Sequence, residues 1–206
     1  MENIFFTSDP HFGHGGKAGN MGVIKFCNRP FRDKWQMDDV LINNWNSVVS
    51  PSDRVYCLGD FFFCGKERAI GIVKRLQGQK YWLFGNHDKK SRKWKELTDL
   101  FVWTGDYKEI RVSDDGADYR NRPFNKIVMC RYPIASWNGM HHGSWMLHGH
   151  SHGSYNIDKN KIVDVGSDVW DYTPVSYQRL KKYMADRPFV PVDGHGLRKK
   201  IPTEMD

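Results

Sequence analysis

Four short apolar runs in this chain each break off into a cluster of polar residues and glycine. Residues 3–7 run into Ser8-Asp9-Pro10-His11, and residues 54–58 into Gly59-Asp60. Residues 80–84 run into Gly85-Asn86-His87-Asp88, and residues 145–148 into Gly149-His150-Ser151-His152. Runs this short, bounded by glycine and turn formers, read as buried strands. In open α/β sheets, ligands bind beyond the carboxyl ends of strands. A chain punctuated in this way is therefore constrained to an α/β fold that gathers its polar clusters at one end.

The segments between the runs agree. Residues 37–49 carry Val40, Leu41, Trp45, Val48 and Val49 on helical spacing, and residues 66–76 place Ile70, Val73 and Leu76 on one face. A short helix is predicted over 94–101. The second half reads mostly as strand, over 102–112, 126–130, 145–148 and 161–165, with a last helix over 176–184. This order, β-α-β-α-β and then mostly β, predicts two mixed sheets packed as layers with helices outside. At 206 residues, one domain over 1–185 is expected, followed by a weakly specified tail over 186–206. No apolar run approaches a bilayer span and no signal peptide precedes Ile4, so no membrane association is expected. The four cysteines, Cys27, Cys57, Cys64 and Cys130, form no C-x-x-C pair and read as buried free thiols. Together these features point to a reducing, cytoplasmic location.

The polar clusters carry the chemistry. Carboxylate, imidazole and amide oxygen are the donors that borderline divalent metals prefer. Asp9, His11, Asp60, Asn86, His150 and His152 supply that set, and a carboxylate such as Asp60 can bridge two ions. In extended backbone, residues i and i+2 point the same way, so Asp9 with His11, and His150 with His152, can each face one point. Glycines beside Asp60, Asn86 and His150 let the backbone turn away from a crowded site. The net charge of +7 fits either solubility or attraction to phosphate-bearing partners. Lys89, Lys90, Arg92, Lys93 and Lys95 form a local basic run that could be a solvated face or a rim steering anions.

In this order the motifs resemble the calcineurin-like metallophosphoesterase family, whose signature runs D-x-H, G-D, G-N-H-D/E, a lone His and G-H-x-H. The match extends from Ile4 to about Met184. Residues 26–31 and 168–175 look like segments of a small bacterial and phage branch. The resemblance implies a four-layer α-β-β-α sandwich and hydrolysis of a phosphodiester or phosphomonoester by a metal-activated water. It implies one or two divalent ions (Mn, Fe, Zn or Ni). Asp9, His11 and His152 would hold one ion, Asp60 would bridge, and Asn86 and His150 would hold the second. His87 would serve as general acid, with Asp88 orienting its ring. The basic charge tilts the expected substrate toward a nucleotide or nucleic acid. Oligomeric state is left open.

One position departs from the signature. Where the family's lone His is expected, this chain reads Cys130-Arg131-Tyr132-Pro133. Arginine stays protonated and has no lone pair for a metal. Three readings stand side by side. In the first, the second site is weak or empty and Arg131 supplies its charge, gripping substrate phosphate in a bidentate fork. In the second, a histidine such as His148, His142 or His14 replaces the missing ligand. Or turnover is crippled, leaving a metallophosphoesterase-like binding protein.

Other residues carry weaker expectations. Asn28-Arg29-Pro30 reads as a turn or as a substrate contact, and Phe61-Phe62-Phe63 as core or pocket wall. His148 reads as a support for the ligands, His141-His142 as loop, His195 as solvated, and Trp137 and Trp145 as packing in the second sheet. The loop holding Gly13, Gly15, Gly16, Gly19 and Gly22 looks enlarged and is expected to shape the mouth of the site.

Overall fold

The computed structural model describes residues 3–15, 22–113, 124–155 and 160–190. Gly16, Gly19, His195 and the tail beyond residue 190 lie outside the described residues. The first sheet contains β1 (Ile4–Thr7), β2 (Arg54–Cys57), β3 (Gln79–Leu83) and β4 (Trp103–Gly105), all parallel. A two-residue strand, β9 (Val175–Ser176), closes its edge antiparallel to β1, giving the order β4-β3-β2-β1-β9. The second sheet runs β5-β6-β7-β8, from β5 (Tyr107–Ser113), β6 (Phe124–Cys130), β7 (Trp145–His148) and β8 (Ile162–Asp164). Only β5 and β6 pair antiparallel there. Both sheets are thus mixed, with flanking helices, as the sequence pattern predicts.

Strand alternation builds two cores from one sheet. Phe5, Val55, Cys57 and Trp82 face a helical layer that supplies Leu41, Trp45, Ile72, Val73 and Leu97. That layer consists of α1 (Val23–Phe26), α2 (Lys34–Val48), α3 (Lys66–Arg75) and α4 (Lys95–Thr98). On the opposite face, Phe6, Tyr56, Leu58 and Leu83 pack against Ile127, Met129, Trp145, Leu147 and Val163 of the second sheet. Helix α5 (Tyr177–Ala185) adds Tyr177, Leu180 and Met184 to this inter-sheet core. Among the described residues, a loop covers the second sheet's outer face. Val128, Met146 and Ile162 meet Trp137 and Met140, on a loop with one 3-10 turn at Met140–His142. Trp137 and Trp145 therefore pack on opposite faces of that sheet. Each large apolar side chain buried this way stabilises the fold by roughly 1.5–3 kcal/mol.

Helix α1 and strand β9 have no counterpart in the sequence reading, and three further elements differ from it. The predicted strand over 102–112 is two strands in different sheets: β4 pairs with β3, β5 pairs with β6, and Asp106 turns the chain between them. Both Asp106 oxygens accept from Arg92, at 3.1 and 3.0 Å, which fixes the corner. Helix α2 starts one turn before residue 37, because Asp33 Oδ1 accepts from the backbone N–H groups of Trp35 and Gln36 at 2.9 and 2.8 Å. The helix predicted over 94–101 shortens to α4, preceded by a 3-10 turn at Ser91–Lys93. Among the described residues, no helix is long and apolar enough to cross a membrane.

Candidate metal centre

The strand ends meet in the way the motifs suggest, but through a different backbone geometry. Asp9, His11, Asp60, His150 and His152 all have positive φ, at 55°, 54°, 49°, 73° and 47°. Non-glycine residues rarely adopt this left-handed region, and such strain concentrates at functional sites. Extended alternation thus does not aim Asp9 and His11, or His150 and His152; a succession of left-handed turns does. Hydrogen bonds between loops hold these turns. Asp9 N–H donates to Gly59 O at 3.1 Å, and His11 N–H to Asp60 O at 3.2 Å. Two glycines permit the close approach. A Cβ on Gly149 would lie 1.9 Å from Ser8 Oγ, and one on Gly85 would lie 2.2 Å from Asp60 Oδ1.

On one side of the centre, Asp9, His11 and His152 bring one donor atom each within 4.8 Å of one another. His11 Nε2 stands 3.4 Å from Asp9 Oδ1 and 3.9 Å from Asp60 Oδ2. His152 Nε2 stands 3.6 Å from the same Asp9 oxygen. Asp9 is fully buried, and its other oxygen accepts from Ser8 Oγ at 2.7 Å and His150 N–H at 2.9 Å. Burial alone would raise its carboxyl. The hydrogen bond with His11 and the charges of Arg131, His11 and His152 hold it well below the usual range instead. Burial likewise pushes the His11 ring down to about 3, so it stands neutral with a lone pair available. Two carboxylates and two neutral-capable imidazoles suit one divalent ion of the Mn, Fe or Zn kind.

Both imidazoles are held from behind. His11 Nδ1 lies 2.9 Å from His14 Nδ1, and the ring of Phe63 stacks over the pair at 4.6 and 3.9 Å. His152 Nδ1 lies 2.7 Å from Asp168 Oδ2. Burial opposes charge on His152, but Asp168, Cys27 and Asp9 outweigh it and push the ring up to about 10. A proton and a cation therefore compete for Nε2. Asp168 is in turn gripped by Arg29, with Nε and Nη2 at 2.7 and 2.8 Å from its two oxygens. Arg29 is buried and also donates to the carbonyls of Asp9 and Pro10, at 2.7 and 3.0 Å. Its side chain is thus neither an idle turn residue nor a substrate contact. Asp168 is the main residue that sequence reasoning missed. The one signal was that Arg29 and Asp168 fall in the two segments resembling the phage branch.

The other side is occupied by Arg131. This residue is buried, and all three nitrogens of its fork are engaged. Nη1 lies 2.7 Å from Asp9 Oδ1 and 3.2 Å from Ser8 Oγ, Nε lies 3.3 Å from Asn86 Oδ1, and Nη2 bonds Asp60 Oδ2. The fork thus faces Asp9, Asp60 and Asn86, an arrangement that does not match the phosphate grip among the three readings. Among the described residues, no other histidine takes over as a ligand there. His148 is buried with Nδ1 2.9 Å from Gly149 O, His14 backs His11, and His142 is exposed on the far turn. His150 is exposed, its ring edge-on to Tyr132 at 4.8 Å, and burial with the charge of Arg131 lowers its pKa. A second ion at Asn86, Asp60 and His150 does not fit beside a fixed guanidinium.

Asp88 also departs from expectation. Its carboxylate accepts from the backbone N–H groups of Gly85, Asp60 and Phe61 at 2.7, 2.8 and 3.1 Å, and from Trp82 Nε1 at 3.3 Å. It clamps two strand-end loops together and does not orient the His87 ring. Burial raises its pKa to about 6 against those donors. His87 is exposed at the rim, its N–H donating to Asp60 Oδ1 at 2.8 Å and its ring 4.9 Å from Phe63. Phe61 and Phe62 are core, while Phe63 is pocket wall. All four cysteines are free thiols, but only Cys57 is buried; Cys27, Cys64 and Cys130 are half-buried.

Comparison with known proteins agrees with this architecture. The chain is 29% identical over 190 residues to an uncharacterized protein of Methanocaldococcus jannaschii, MJ1445, covering 88% of this chain and 91% of that one. It is 27% identical to the Gene 66 protein of Mycobacterium phage D29, covering 87% and 95%. The crystal structure of a protein of unknown function from Aquifex aeolicus, AQ665, shares the fold with a TM-score of 0.64 at 22% identity, over 89% of this chain and all of that one. The sequence profile of calcineurin-like phosphoesterases matches residues 2–199, and with the strand-end motifs assembled on two mixed sheets, the chain belongs to that family.

Proposed function

We propose that this chain hydrolyses a phosphate ester with the help of a divalent metal ion. The observation that carries this reading is the convergence of Asp9 Oδ1, His11 Nε2 and His152 Nε2, with Asp60 Oδ2 beside them. An ion bound there would supply charge for phosphoryl oxygens and acidify a water at neutral pH. The chain's own residues do the rest. Asp9 and Asp60 keep the centre anionic. Asp168 and His14 hold the imidazoles so that Nε2 faces inward. His87 stands at the rim, where its ring can give a proton to the leaving oxygen. Lys89, Lys90 and Lys93, exposed just beyond it, favour an anionic substrate, and the net charge of +7 extends that to a nucleotide or a nucleic acid end.

The test is a screen of bis-nitrophenyl phosphate, nitrophenyl phosphate, cyclic nucleotides and short oligonucleotides, with Mn, Fe, Zn or Ni added to chelated protein. Turnover that chelation removes and metal restores is the expected result. No turnover of any ester with any of these ions sinks the reading. Cleavage of small non-nucleotide monoesters alone removes the nucleotide assignment and keeps the rest. The engagement of Asp9 and Asp60 by Arg131 favours one second reading, a phosphate-binding protein with weakened turnover. That reading predicts binding of a nucleotide to the metal-loaded chain without hydrolysis.

A further inference from the structure

We infer that Arg131 permanently takes the place of a second metal ion, so that this centre binds one divalent ion and carries its other cation in its own chain. The inference rests on the proposed metal-dependent reading and narrows it. Three nitrogens of one guanidinium reach three different candidate ligands, namely Asp9 Oδ1, Asp60 Oδ2 and Asn86 Oδ1, and Nη1 also meets Ser8 Oγ. Of these, Asp60 is the expected bridge between two ions, Asp9 a ligand of the first and Asn86 a ligand of the second. An ionised carboxylate oxygen has two lone-pair directions. On Asp9 Oδ1, one partner is Arg131 at 2.7 Å, while the imidazoles lie at 3.4 and 3.6 Å on the side where an ion would sit. Asp60 Oδ2 is shared between Arg131 and the His11 side in the same way.

The place is built for an arginine. Arg131 directly follows β6, and its carbonyl accepts from Gly149 N–H at 3.2 Å, so its backbone is tied to the loop that carries His150. A Cβ on Gly59 would come within 2.7 Å of Gly85 Cα and 2.8 Å of Arg131 Cδ, so the glycine before Asp60 lets both the neighbouring loop and the arginine stem approach. Charge balance agrees. Asp9 and Asp60 supply two negative charges at the centre, and a guanidinium plus one dication already exceeds them before an anionic ester arrives. A second dication would add like charge next to a group that cannot lose its proton.

The experiment counts metal without using turnover. Chelated protein, Arg131→His and Arg131→Met are dialysed against Mn(II), bound metal is measured by elemental analysis, and the ions are examined by electron paramagnetic resonance. The expected result is about one ion per unaltered chain, with the spectrum of an isolated Mn(II). Arg131→His is expected to take up about two ions with an exchange-coupled spectrum, and Arg131→Met to stay near one, because it removes the cation without supplying a ligand. Two coupled ions in the unaltered chain would overturn the inference and leave the proposed function standing. One ion in both the unaltered chain and a folded Arg131→His would overturn it too. No ion in the unaltered chain would overturn the metal-dependent reading itself. If Arg131→His fails to fold, the spectrum and count of the unaltered chain against Arg131→Met carry the test: a second ion appearing in Arg131→Met would overturn the inference.

Discussion

The two sides of the centre use the same kind of loop, yet they meet a cation in different ways. On the Asp9 side, His11 and His152 turn Nε2 inward while His14 and Asp168 hold Nδ1 from behind. On the Asn86 side, the described residues provide no such backing. His150 is exposed, and the oxygens of Asp9, Asp60 and Asn86 already accept from Arg131. One side is arranged to capture a positive charge from solution, and the other brings its own. The comparison teaches that a ligand motif read in sequence, such as G-N-H-D or G-H-x-H, names donors without fixing what they donate to.

Removing charge from the capturing side is expected to have the largest effect. Asp9→Asn keeps the shape of the side chain and removes its charge. It should lower affinity for Mn(II), measured by isothermal titration calorimetry, by more than about 100-fold, beyond the range that changes behind the ligands usually give. His150→Ala, on the other side, should lower it by less than about tenfold. Equal losses in the two variants would break the comparison.

Next in size is the support behind His152. Asp168→Asn retains an acceptor for Nδ1 but leaves Arg29 without its charged partner. Affinity for Mn(II) should fall by about 10–100-fold. Because Arg29 and Asp168 are buried, stability should also fall, by roughly 3–5 kcal/mol. Arg29→Met tests the same link from the other end, since it frees Asp168 without touching His152. Unchanged metal affinity in both variants would reduce the Arg29–Asp168–His152 chain to a structural tie. His14→Ala is expected to cost less than Asp168→Asn, under about tenfold in affinity. Burial lowers the pKa of His14 to about 4, so it backs His11 as a neutral partner without the field of a carboxylate. A His14 effect as large as that of Asp168 would mean that orientation of the rings, and not charge behind them, sets affinity.

These predictions also mark where sequence reading stops. Asp9, His11, Asp60 and His152 were legible because the chemistry restricts residue type and each follows a buried strand next to a turn. Helices α2 and α3 were legible from periodicity. Asp168 was not, because it meets Arg29 across 139 positions of chain and no local pattern records a buried ion pair. The role of Asp88 was misjudged, since the resemblance gave a residue type at a position while its oxygens answer to backbone N–H groups of neighbouring loops. The break at Asp106 escaped notice because β-rich composition continues across it while the chain changes sheets. Arg131 stands out in the sequence as a departure from the signature. Whether its fork was free or engaged depended on Asp9 and Asp60, which lie far from it in sequence.

The smallest expected effect serves as a control on all the others. Gly71 lies exposed inside α3, and a Cβ added there meets nothing within 4 Å. Glycine within a helix is less favourable than alanine by about 0.8–1.0 kcal/mol. Gly71→Ala should therefore raise the thermal midpoint by about 2–4 °C. Metal affinity should stay the same, because Gly71 is exposed and a Cβ there touches no residue of the centre. If affinity instead rises with stability in this variant, metal binding is coupled to global folding. The loss in Asp168→Asn could then no longer be assigned to the aim of one imidazole. If affinity does not move, the ordering of Asp9, Asp168, His14 and His150 reports local support of the ion, and the contrast between the two sides of the centre holds.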